Sequence, residues 1–158
     1  MIQRINPILI VVSLCLAFVL SIIYLPSSVQ FWRPDWTALV ILFWVFFAPD
    51  KIGIIFAWTV GLFQDVLEGA VLGMNALAYS VMAYLLVSMY QRFKLFPLIQ
   101  QSFMIFMLIG IDLMICHLIK SVTGVSASGF VYLYPAITSA AIWPFFYVLM
   151  SNLVRKLS

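Results

Sequence analysis

Leu95-Phe96-Pro97-Leu98-Ile99-Gln100-Gln101-Ser102-Phe103-Met104-Ile105-Phe106-Met107-Leu108-Ile109-Gly110-Ile111-Asp112-Leu113-Met114-Ile115-Cys116-His117-Leu118-Ile119 carries one charge in twenty-five residues. A membrane helix needs about 20 apolar residues to cross a hydrocarbon core about 30 Å thick, and this stretch supplies them. The rest of the chain reads the same way. Uncharged runs at 5–32, 69–91 and 121–154 are each long enough for a crossing, while those at 36–49 and 52–64 are short. Over 158 residues the chain is 66% hydrophobic and 8% charged, with mean hydropathy +1.18. Soluble domains are roughly a quarter charged, so a water-soluble globule is excluded. The expected fold is an all-α integral membrane protein, a six-helix bundle forming one domain over 1–158. Its spans are expected at about 7–25, 34–48, 52–67, 71–90, 97–119 and 130–154.

The net charge of +3 does not indicate a nucleic-acid partner, because the cations sit at segment ends rather than on one face. With an even number of spans, Arg4, Lys51, Arg92, Lys94, Arg155 and Lys156 fall on one side, and Arg33 and Lys120 on the other. Cytoplasmic loops carry the excess of Lys and Arg, which places both termini in the cytoplasm. The first run is too long for a secretory signal core and is followed by Pro26-Ser27-Ser28 rather than a small-residue cleavage site, so it reads as a retained helix. Cys15 and Cys116 lie within spans without Cys-x-x-Cys spacing and read as packing residues. No metal site or cofactor is expected.

Proline and charge punctuate the helices. Pro34 and Pro97 suit first turns, where a missing N–H costs nothing. Pro49-Asp50-Lys51 makes a tight turn, and Lys120 to Gly129 is small and polar, as a loop requires. Spans two and three, at fifteen or sixteen residues, reach only about 24 Å. A re-entrant hairpin is the alternative, but it would place Asp50 and Lys51 inside the bilayer at about 2.5–3.5 kcal/mol each. Short, glycine-interrupted segments mark ligand sites in transporters.

The densest polar cluster runs from Gly61 to Leu77. Gly61, Asp65, Gly69 and Gly73 recur at every fourth position, a spacing that lets helix backbones approach closely. Gly69 also suits a helix end. Glu68, beside Gly69, reads as a solvated acid at the membrane edge. Asp65 fits a structural and a functional role equally.

Asp112 is the sharper anomaly. A carboxyl in the outer half of a span must face the bundle and find a partner, water or a proton. Asn75, His117, Arg33 and Lys120 are candidate partners; a structural, hydrogen-bonded acid is favoured over proton transfer. His117 itself reads as a polar residue near the outer interface. Two membrane acids suggest an intramembrane aspartyl protease, but only Gly110 fits the Gly-x-Gly-Asp pattern before Asp112. Lipoprotein signal peptidase is of similar length, yet the Asn-rich surroundings of its acids have no counterpart here. Neither a P-loop nor a dinucleotide-binding glycine pattern occurs. An enzyme is not expected. Trp143-Pro144 implies a kink in the last span. Trp32, Trp36, Trp44 and Trp58 read mostly as an interfacial aromatic belt.

These features together resemble the bacterial rod shape-determining protein MreD family. The resemblance rests on Phe31-Trp32-Arg33-Pro34-Asp35-Trp36, on Gly61 through Leu77 with Asp65, Gly69, Gly73 and Ala76-Leu77, on Asp112, and on Trp143-Pro144 before the basic end. It implies a non-enzymatic inner-membrane scaffold or regulator of the cell-elongation complex, acting in rod shape and lateral peptidoglycan synthesis. It also implies a bitopic MreC partner and, through it, RodA, penicillin-binding protein 2 and MreB. The implied fold is similar to the six-helix substrate-binding subunits of energy-coupling vitamin transporters. A small-molecule- or lipid-binding transport subunit is the alternative function, motivated by the short second and third spans and by the two outer acids.

Overall fold

The computed structural model describes residues 5–124 and 129–157. Arg4, used above in the charge asymmetry, and positions 125–128 of the 120–129 connection lie outside them. The described residues form seven α-helices: α1 (Pro7–Ile22), α2 (Ser27–Gln30), α3 (Trp36–Phe47), α4 (Ile54–Glu68), α5 (Met74–Phe93), α6 (Leu98–Val122) and α7 (Tyr134–Leu157). A 3-10 turn at Val131–Leu133 leads into α7. No strand occurs among them.

Much of the surface is apolar. Val11, Leu16, Val19, Ile55, Phe63, Val66, Ile99, Phe103, Phe145 and Leu149 all project outward. Residues Leu98–Val122 and Val131–Leu157 form helices long and apolar enough to cross a membrane, and only a minority of their residues are buried within the protein. In water such a surface would drive aggregation; in lipid it costs nothing.

The short α3 is the axis of the bundle. All ten residues from Thr37 to Phe46 are buried, with α1, α5 and α7 packed around them. A helix that is apolar on every face belongs inside other helices. Its twelve residues therefore need not match the lipid thickness, because other helices, rather than lipid, surround it. Asp35 starts it by accepting the Ala38 N–H at 3.1 Å, and Ala48, held out of the helical region before Pro49, ends it. The consecutive helices α4, α5, α6 and α7 pack pairwise, and α1 reaches both α3 and α4.

The two ends of the bundle differ in chemistry. At one end aromatic rings interlock: Phe46 meets Phe93 at 5.0 Å and Tyr147 at 5.9 Å between centroids. Lys94 lies 5.5 Å over the Tyr90 ring at the rim of this cluster. At the other end Arg33 and Lys120 stand together around a polar cavity.

Trp44 departs from the belt reading. It is fully buried and donates its indole N–H to Ser13 Oγ at 2.9 Å, because α3 as a whole is interior. Trp32 and Trp58 are exposed, and Trp32 stacks on Tyr134 at 4.8 Å.

Candidate functional site

The α4–α5 joint forms one wall of the polar end. Gly61 lies so close to α5 that a Cβ there would stand 2.4 Å from Ala76 Cα and 2.7 Å from the Asn75 carbonyl oxygen. Gly69 and Gly73 serve a different purpose. Each has open space around it but a positive φ, 63° and 95°, and together they reverse the chain between the helices. Of the three glycines, only Gly61 provides close packing.

Asp65, 1% exposed, closes this joint. Its Oδ2 accepts the Gly73 N–H at 2.8 Å and the Ala76 N–H at 3.5 Å, and its Oδ1 accepts the Asn75 N–H at 2.9 Å. These are donors that the first turn of α5 leaves without helical partners, and a carboxylate is favoured there by the helix dipole. Its oxygens are fully engaged, which gives Asp65 a structural role.

Behind this joint lies a cavity of about 330 Å³ lined by Arg33, Pro34, Asp35, Gln64, Glu68, Asn75, Tyr79, Asp112, Cys116 and Lys120, among others. A hydrogen-bonded chain forms much of the lining. Ser21 Oγ lies 3.1 Å from Thr37 Oγ1, which donates to Gln64 Oε1 at 3.0 Å. Gln64 Nε2 donates in turn to Glu68. The other Glu68 oxygen accepts from Asn75 Nδ2 at 3.3 Å, and Asn75 Oδ1 accepts from Cys116 Sγ at 3.5 Å. Glu68 is exposed, as an acid at an edge would be, and is also held at the cavity by Gln64 and Asn75.

Asp35 comes from the opposite side. Its backbone N–H donates to Ser139 Oγ at 3.0 Å, and its Oδ1, besides capping α3, accepts from Tyr79 OH at 3.4 Å. Its carboxyl faces that of Asp112. Asp112 is 1% exposed, and its Oδ1 has no hydrogen-bond partner among the described residues. Of its candidate partners, Asn75, Arg33 and Lys120 line the same cavity without bonding to it. His117 turns away and stacks on Tyr132 at 4.1 Å. Arg33 donates to the Leu20 carbonyl at 2.7 Å, near the C-terminus of α1, where a cation is favoured.

The residues singled out in the sequence therefore separate into three places. Arg33, Pro34 and Asp112 line the cavity. Gly61, Asp65, Gly69 and Gly73 build the joint beside it. Trp143 is buried elsewhere and donates to Gln101 Oε1 at 3.4 Å, while Pro144 sits inside α7 against an outer groove with Leu98 and Phe145. Asp35, Gln64, Glu68 and Tyr79 are lining residues that sequence reasoning did not select. Asp35 carried a signal, as a carboxyl directly preceding an apolar helix.

The family model for the rod shape-determining protein MreD matches residues 2–153. The chain belongs to the MreD family. A relative in Haemophilus influenzae, the rod shape-determining protein MreD, is 28% identical over 141 residues, covering 89% of this chain and 87% of its own. No solved structure matches. Within this family member, the joint containing Asp65 and the cavity containing Asp112 occupy the same end of the bundle but share no carboxylate.

Proposed function

We propose that the protein acts in determining rod cell shape, as a non-enzymatic, multi-pass component of the inner membrane. The observation that carries this reading is the family match over nearly the whole chain, joined by the curated relative's name. In this reading α1, α3, α4, α5, α6 and α7 are the six membrane segments. The outward apolar side chains and the grouping of Arg33 and Lys120 at one end, away from Lys94, support it. Both termini then lie in the cytoplasm, by the excess of cations on that side.

With its surface largely committed to lipid, the bundle works by presenting helix faces to other membrane proteins. An MreC-type bitopic protein is the proposed direct partner. RodA, penicillin-binding protein 2 and MreB would be reached through it, coupling the bundle to lateral peptidoglycan synthesis. Depletion in a rod-shaped host should give round cells, with an MreC-type protein co-purifying from undepleted membranes. Normal rods after complete depletion would overturn the reading.

A further inference from the structure

The cavity holds groups of both signs that do not satisfy one another. Asp35, Glu68 and Asp112 share it with Arg33 and Lys120, yet Arg33 makes its hydrogen bond with a backbone carbonyl. The most deeply placed acid, Asp112, has an oxygen with no donor among the described residues. In a lipid-surrounded protein a buried carboxyl in that condition is costly, and a cationic donor relieves it. A primary ammonium supplies both the N–H donors and the positive charge that such a carboxyl lacks.

Charge order adds the second half of the ligand. Asp112 is buried, and the exposed Glu68 is held by Gln64 and Asn75. Lys120 is exposed and Arg33 half-buried, so positive charge without a carboxylate partner among the described residues lies toward the opening. A group entering this cavity meets complementary partners if its ammonium leads and an anion follows. At about 330 Å³ the space is at the lower end of ligand pockets, which run from roughly 300 to 1,000 Å³. That suits a head group rather than a large metabolite.

We propose that the cavity binds an ethanolamine phosphate group, with Asp112 and Asp35 receiving the ammonium and Lys120 and Arg33 the phosphate. A phospholipid and a free phosphodiester both carry this chemistry. The site is additional to the rod-shape role and does not depend on it.

Native mass spectrometry of the full chain tests the proposal, with matched phosphatidylethanolamine, phosphatidylglycerol and phosphatidylcholine as probes. Phosphatidylethanolamine should be retained about tenfold better than either of the others, as expected when charge-assisted N–H donors are gained. Equal retention of the three lipids, with no binding of glycerophosphoethanolamine, overturns the proposal. Displacement of the lipid by glycerophosphoethanolamine supports recognition of the shared head group. Selective lipid retention without displacement identifies the lipid as the source. Binding of glycerophosphoethanolamine without lipid selectivity identifies a soluble one.

Asp112→Asn should lower retention of the preferred probe about tenfold, and Lys120→Gln, at an exposed position, should lower it with helix content unchanged. The comparison among lipids on the unaltered protein stands even if a variant fails to fold. Unchanged retention in both folded variants contradicts the assignment. Loss of a co-purifying protein in Asp112→Asn, with lipid retention unchanged, would also overturn it, in favour of a protein side chain as the occupant.

Discussion

Asp65 and Asp112 are buried to the same extent, 1% exposed each, at the same end of one bundle, and their surroundings could hardly differ more. Three backbone N–H groups converge on Asp65; an oxygen of Asp112 meets no donor among the described residues. Burial therefore does not distinguish a structural carboxyl from an available one. The supply of donors does. Asp65 receives them because the Gly69–Gly73 turn delivers the start of α5 to it, whereas Asp112 lies in mid-helix, where backbone N–H groups are already used within α6.

The largest effect is expected from removing the engaged acid. Asp65→Ala leaves two well-formed backbone hydrogen bonds without an acceptor and should cost about 3–6 kcal/mol, seen as early loss of helical signal on heating in detergent. A change under 1 kcal/mol would show that the α5 terminus does not depend on Asp65. Next comes Gly61→Leu, whose side chain would meet the backbone of Ala76. Overpacking of this kind costs about 1–3 kcal/mol or more, and the altered joint should also weaken recovery of an MreC-type partner. Recovery and stability matching the unaltered protein would refute the close approach.

The glycines sharpen the contrast within their own motif. Gly73→Ala meets no atom but must hold φ at 95°, for about 1–2 kcal/mol; Gly110→Ala, with open space and ordinary φ, should be neutral or slightly stabilising. Thermal unfolding of the two variants side by side checks this. Equal effects would mean that backbone conformation is not what selects glycine at 73. Smaller still is Trp143→Phe, which removes one neutral hydrogen bond to Gln101 and should cost about 1 kcal/mol.

Scarcity of charge made much of this legible in the sequence. An isolated acid within a long apolar run can be seen without coordinates, and so can a Gly-x-x-x repeat. What the repeat meant was not legible: Gly61 lies in α4 and meets a neighbouring helix, but Gly69 and Gly73 lie at helix ends, so one spacing conceals two physical causes. The short apolar run of α3 was equally visible, yet its central position depends on packing by helices far along the chain. Asp35 escaped notice because a carboxyl before a helix is explained locally by capping. Its meeting with Asp112 belongs to tertiary structure alone. Glu68 is exposed, as its neighbour Gly69 suggested, but its partner Asn75 arrives from the next helix and was not legible.

The division of labour between the two acids is tested most directly by measuring thermal unfolding of Asp65→Asn and Asp112→Asn in the same detergent, alongside the unaltered protein. The amide keeps the volume of each side chain and removes its negative charge. Asp65→Asn should unfold several degrees earlier, because one oxygen can no longer accept the converging N–H groups. Asp112→Asn should unfold at or above the midpoint of the unaltered protein, since its Oδ1 has no donor among the described residues to lose and the change relieves a buried carboxyl that faces another. Destabilisation of Asp112→Asn equal to that of Asp65→Asn would contradict the account.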